Sequence, residues 1–291
     1  MPSRLQALYW ASAASNVVFF LSAYFTFGFF LLAFLLLALS ISSLINFALL
    51  RSLLKGKSIQ GFHICEGLKN FAFVYKDNIF LTEDTLNDRD VLEATLIHEY
   101  AHVLTLKGRK IRYLSGFNPL ALFISAAVTG GCTKGLKGLV STFNLFLVLI
   151  VEIGILILAD NTSVAFAFLL LFLIGFYVVL FTRYFNSFYV IGSVIVAALS
   201  PGFFSIAYAV SLVLYIAYKL NEEILADLYG VACAGETYLK GLSKLLNVEK
   251  VKRRNIVVDV IFFPNTHLNN HLRIYYLEKK LKEGKLSCQC G

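Results

Sequence analysis

Residues 7–50 read ALYWASAASNVVFFLSAYFTFGFFLLAFLLLALSISSLINFALL, with Arg4 before the run and Arg51 after it. As one helix this stretch would rise about 65 Å at 1.5 Å per residue, roughly twice the thickness of a hydrocarbon core. A hairpin of two spans turning near Gly28 fits instead. The run is too long for a cleavable signal peptide and lacks a small-residue exit site. Basic residues at both ends predict that both ends face the cytoplasm.

Working outward, the whole chain carries the same signature. Of its 291 residues 58% are hydrophobic and only 15% charged, where soluble domains run near a quarter charged. The net charge of +8 does not form a nucleic-acid stripe. Ten lysines and arginines lie in residues 51–117 and twelve in 219–291, each set mixed with eight acids; only Glu152 and Asp160 are acidic elsewhere. The chain therefore divides into an N-terminal transmembrane hairpin (1–50), a polar segment (51–117), a transmembrane block (118–218) and a second polar segment (219–291). Juxtamembrane basic excess explains the charge, so the partner is a lipid bilayer and not nucleic acid. Five cysteines with no paired spacing give no disulfide framework and suit a reducing compartment; Cys288 and Cys290 read as thiols on a tail.

The second apolar block divides less cleanly. Residues 139–160 and 163–182 read as spans separated by Asp160-Asn161, residues 118–131 are short for a span, and Ser200-Pro201-Gly202 breaks 187–218. If the polar segments meet on one side, the chain crosses an even number of times between them. Either 118–131 spans and 187–218 is one bent helix, or 118–131 is interfacial or re-entrant and 187–218 is a hairpin. The second partition, six spans in all, keeps Lys134, Lys137 and Arg183 inside and Asp160 outside.

The polar segments hold the chemistry. Phe71–Tyr75 and Ile79–Thr82 flank a short polar turn and predict a β-hairpin. Asn87, Asp88 and Asp90 then supply cap and first-turn acids for a helix from about 88 to 107. On it, His98-Glu99-Tyr100-Ala101-His102 is H-E-x-x-H: two imidazoles at i and i+4 share a face and can reach one ion, with Glu99 beside them to take a proton from water. Catalytic zinc usually has a third protein ligand. The strongest candidate is Glu223 in Glu223-Ile-Leu-Ala-Asp227, on a helix leaving the membrane, with Asp227 one turn on to accept from a ligand imidazole. Read alone, Glu222, Glu223 and Asp227 would pass for a solvated helix face. His63 has no ligand spacing and reads as structural, and Glu152 is an ionisable group inside a span, which raises a transport reading.

H-E-x-x-H, transmembrane sequence, then E-x-x-A-D resembles the HtpX-like membrane metallopeptidases, related to the CAAX prenyl endopeptidases. Thr266-His267 followed by Arg273-Ile274 matches the late motif of that family, although Leu268 stands where proline is usual. The resemblance implies a mainly α, multi-pass membrane protein with a cytoplasmic zincin-like α+β peptidase domain and a small sheet. It implies zinc on His98, His102 and Glu223, with Glu99 catalytic and His267 and Arg273 near the substrate carbonyl or its oxyanion. The substrate would be a polypeptide, a membrane protein in quality control, with prenyl-protein processing or a non-catalytic zinc scaffold as alternatives. The strand edge at Asn70–Tyr75 is a place for an extended peptide to add.

Overall fold

The computed structural model describes residues 3–59, 61–66, 71–75, 77–106, 118–167, 169–170, 185–247 and 270–284. The opening apolar run folds as α1 (Ser3–Phe27) and α2 (Phe29–Leu54), broken at Gly28. Its φ of 80° lies where a side chain is disfavoured, so the predicted turn sits at the residue best suited to it. A small sheet follows: β1 (Ser58–Ile59), β2 (Phe62–Cys65), β3 (Ala72–Tyr75) and β4 (Asn78–Thr82). After one 3-10 turn come α3 (Arg89–Leu106), α4 (Pro119–Gly131), α5 (Gly135–Leu158), α6 (Phe185–Leu199), α7 (Gly202–Leu246) and α8 (Asn270–Lys282).

Four of these, α1, α2, α5 and α7, are long and apolar enough to cross a membrane. Their outer faces carry large bare hydrophobics, such as Phe25 at 76% exposed, Phe30 at 88% and Leu139 at 68%. Water penalises so extended an apolar surface.

The helix directions follow from their contacts. Tyr9 meets Tyr218, and Phe19 meets Tyr208, so α1 and α7 run antiparallel. Asn144 on α5 donates to Asn46 Oδ1 on α2 at 2.9 Å and to the Ser42 carbonyl at 3.2 Å, which fixes a second antiparallel pair. In a bilayer such amide clamps would matter, because apolar side chains alone do not drive helices together in lipid. Gly28, Asn161 and Pro201 therefore mark one end of the bundle, where Asn161 Nδ2 donates to the Leu199 carbonyl. The sheet, α3 and the start of α5 mark the other.

Helix α4 begins at Asn118, whose side chain reaches Asn16 and Ser211 midway along α1 and α7, and rises only to Thr129, hydrogen-bonded to Asn46. It goes half-way and turns back into α5, while α6 and α7 form a helix pair broken at Ser200-Pro201. Of the expected span 163–182, residues 163–167 and 169–170 are helical, and 168 and 171–182 lie outside the described residues.

The sheet has strand order β1-β2-β4-β3. The predicted hairpin is β3–β4, antiparallel, with Phe73 opposite Phe80. Sequence reading missed β1 and β2, and the β2–β4 pairing is parallel and thus non-local. The expectation of unpaired thiols is also corrected. Cys65 at the end of β2 and Cys132 after α4 form a disulfide across 67 residues, and Cys233 is disulfide-bonded too. Packing of the sheet on the α4–α5 turn creates the first pair, which linear spacing could not reveal. A reducing compartment therefore no longer follows from the cysteines.

Candidate metal centre

Helix α3 starts where the sequence says it must: Asp88 Oδ1 accepts the backbone N–H of Asp90 at 2.9 Å and of Val91 at 3.3 Å, satisfying two first-turn donors. The helix lies along α7. A Cβ at Gly241 would come within 2.0 Å of the Asp90 carbonyl oxygen, so only glycine permits this approach of the two backbones. Helix α7 thereby presents its middle turns, Lys219 to Asp227, to the H-E-x-x-H face.

There His98, His102 and Glu223 converge, with one ligand atom from each within 4.8 Å of the others. His98 Nε2 is 3.2 Å from His102 Nε2 and 3.2 Å from Glu223 Oε2, and His102 Nε2 is 3.5 Å from the same oxygen. A tetrahedral ion with bonds of about 2.0–2.1 Å keeps its ligand atoms about 3.3 Å apart. The observed triangle matches one face of that tetrahedron. Two ring nitrogens and a carboxylate oxygen facing each other need a shared cation, so the donor set fits a metal ion. The side chains are only 10–11% exposed, and Glu99, next along α3, is 7% exposed.

Behind His98 lies a second layer of contacts. Asp227 Oδ1 is 3.0 Å from His98 Nδ1 and accepts from the Tyr238 hydroxyl at 2.7 Å and from Arg273 Nη2 at 2.6 Å. Arg273 Nε donates to the other Asp227 oxygen. With Nδ1–H donated to Asp227, His98 turns its Nε2 lone pair toward Glu223 and His102, the tautomer a metal requires. Burial alone would push the His98 imidazole down; the hydrogen bonds it donates to the Asp227 and Glu223 carboxylates overcome it and hold the group up to about 10. The pocket is built for positive charge on this ring, whether proton or metal.

Most predicted site residues thus meet. Glu222 and Glu223 are buried, at 3% and 8% exposed, which rules out the solvated-face alternative. Arg273 reaches the site, but from behind: Nε and Nη2 are committed to Asp227, and the residue is 7% exposed. In this geometry the guanidinium holds Asp227 behind His98. His267 lies outside the described residues. His63 is structural, stacked on Phe80 and 3.3 Å from Asn78 Oδ1.

Two residues escaped sequence reading. Lys219 Nζ lies 2.7 Å from Glu222 Oε2 and 3.9 Å from Glu223 Oε1, and its i, i+3 and i+4 spacing to those acids was the available signal. Tyr238 left none. It reaches Asp227 because Gly235, at φ 52° and ψ −124°, breaks α7, and because Gly230 leaves room for its ring, which a Cβ there would approach to 2.3 Å.

Set against family models, curated proteins and solved structures, the chain matches none.

Proposed function

We propose that the chain is an integral-membrane zinc endopeptidase of the HtpX-like kind, with its centre on the cytoplasmic side and polypeptides as substrates. The observation that carries the reading is the ligand triangle of His98, His102 and Glu223 with Glu99 adjacent on α3. Ligand chemistry of two imidazoles and one carboxylate favours zinc.

Zinc bound there supplies a Lewis acid that polarises a peptide carbonyl and makes water easier to deprotonate. The chain's own residues do the rest. Glu99 takes a proton from the attacking water on its carboxylate and delivers it to the departing amine nitrogen. Asp227 holds Nδ1–H of His98, and Arg273 and Tyr238 hold Asp227, so the ring stays aimed. By the resemblance, His267 is the donor for negative charge on the carbonyl oxygen. Strand β3 is a sheet edge beside α3, and an extended substrate can add to it through backbone hydrogen bonds.

The four apolar helices and their bare outer faces support membrane integration. Arg51, Lys55, Lys57, Lys134 and Lys137 cluster at the centre's end of the bundle, which supports a cytoplasmic orientation. The Cys65–Cys132 disulfide would then lie on a reducing side, so its oxidation state in intact cells, read by alkylation, checks that orientation directly.

The experiment that tests the activity is Glu99→Gln in purified protein, with bound zinc and casein cleavage measured together. The variant is expected to keep its zinc and lose cleavage by about 10²–10⁴-fold. Equal cleavage by both proteins would end the peptidase reading.

A further inference from the structure

A cavity of about 400 Å³ opens at the centre's end of the bundle, between the end of α2 and the start of α5, under β2. Lys57, Lys134 and Lys137 line it together with Glu66 and Glu83, which leaves one positive charge in excess. Lys57 is already paired with Glu83 at 3.2 Å. Lys134 and Lys137 have no ion-pair partner among the described residues and are exposed. Leu136, between them, also lines the cavity and is 77% exposed.

From Leu136 an apolar stripe continues down α5: Leu139 at 68% exposed, Val140 at 38% and Phe143 at 60%. The spacing i, i+3, i+4, i+7 puts all four on one helix face. The stripe begins at the cavity mouth and runs away from it along a helix long enough to cross the bilayer. Two unpaired cations at the end of a lipid-facing apolar track have the layout of an anionic amphiphile: negative head in the cavity, acyl chain on the stripe.

We propose that this cavity binds one anionic phospholipid, its phosphate between Lys134 and Lys137 and an acyl chain along Leu136, Leu139, Val140 and Phe143. The proposal rests on the reading of α2 and α5 as membrane spans and is independent of peptidase activity. Basic pockets between span ends are suited to such headgroups, and each lysine contributes a similar increment of attraction. The bound headgroup would touch the end of α2, the α4–α5 turn and the first turn of α5 together, joining the sheet to the bundle.

The test uses the full chain in a neutral detergent, with zinc content as the control for folding. Native mass spectrometry counts phospholipid retained from mixed phosphatidylglycerol–phosphatidylcholine nanodiscs, and melting is followed during phosphatidylglycerol titration. Wild type is expected to retain one phosphatidylglycerol and to melt higher as it is added. Lys134→Gln with Lys137→Gln should bind it about 30-fold more weakly. Lys55→Gln removes a like charge at the same end but outside the cavity, and should bind as wild type does. Undiminished binding by the double variant overturns the site. An equal loss in Lys55→Gln overturns it too, because general surface charge would then explain binding. Glycerol 3-phosphate should give no melting shift; a shift equal to that of the lipid would assign the cavity to a free phosphate and sink the acyl track. Recovery of the protein in the soluble fraction without detergent would instead remove the membrane reading beneath it.

Discussion

Two buried carboxylates on the same bundle have opposite surroundings. Glu223 on α7 faces two imidazoles and lies 3.9 Å from the Lys219 ammonium. Glu152 on α5 is fully buried and receives hydroxyls, Ser193 at 2.6 Å and Tyr208 at 2.8 Å, while its second oxygen has no hydrogen-bond partner among the described residues. Tyr208 and Glu223 are fifteen residues apart on α7, about 22 Å along the helix. The difference teaches that burial of an acid marks a site only when cationic or metal-ligating groups converge on it. Glu152 ties α5, α6 and α7 together through hydroxyls, as polar side chains do between spans, and nothing around it among the described residues supports the transport reading.

The sharpest way to break this contrast is to remove each carboxylate in turn. Glu223→Ala should empty the centre, with zinc per chain falling close to zero after dialysis and cleavage lost with it. Glu152→Gln keeps the size and the hydroxyl contacts, and should leave both zinc content and cleavage within about twofold of wild type, as expected for a distant, uncoupled position. Zinc loss in Glu152→Gln equal to that in Glu223→Ala would show one coupled network instead of two.

Smaller effects should come from behind the ligands. Asp227→Asn is expected to weaken zinc binding about 10–100-fold, because an amide cannot hold the imidazole N–H and the Arg273 guanidinium as a carboxylate does. Tyr238→Phe removes one hydrogen bond and should weaken it only about fivefold. Competition with a chromophoric chelator measures both. Affinities unchanged in either variant would reduce this layer to packing.

The same layer of contacts also sets a dependence on pH. The raised His98 group stabilises the zinc-free protein below its unfolded value of 6.5, and that contribution is lost as pH rises toward about 10. Zinc must displace the same proton. Its apparent affinity should therefore rise about tenfold per pH unit between pH 7 and 9, while the melting temperature of the zinc-free protein falls over the same window. A flat affinity profile would mean that His98 is already unprotonated there.

The contrast also separates what could be read early from what could not. Glu99 and its flanking histidines were legible because a helix repeats every 3.6 residues and the motif is local. The β3–β4 hairpin was legible because its turn lies between its strands. Glu223 stood out through its E-x-x-A-D pattern beside H-E-x-x-H, whereas the hydroxyl partners of Glu152 come from distant segments and were not legible. Arg273 was drawn to the site by its motif, but its pairing with Asp227 was not legible, because the sequence does not say from which side α8 approaches.

By itself, then, the sequence determined the alternation of lipid-compatible and polar segments, the turn at Gly28, the capped α3 helix and the four residues His98, Glu99, His102 and Glu223. Those features depend on periodicity, composition and the backbone preferences of single residues. Tertiary structure alone decided the half-way course of α4, the Cys65–Cys132 pair, the place of Tyr238 behind His98 and the cationic cavity at the mouth of α5. Each of these joins segments far apart in the chain, and no local rule encodes the distance between two surfaces until packing has brought them together.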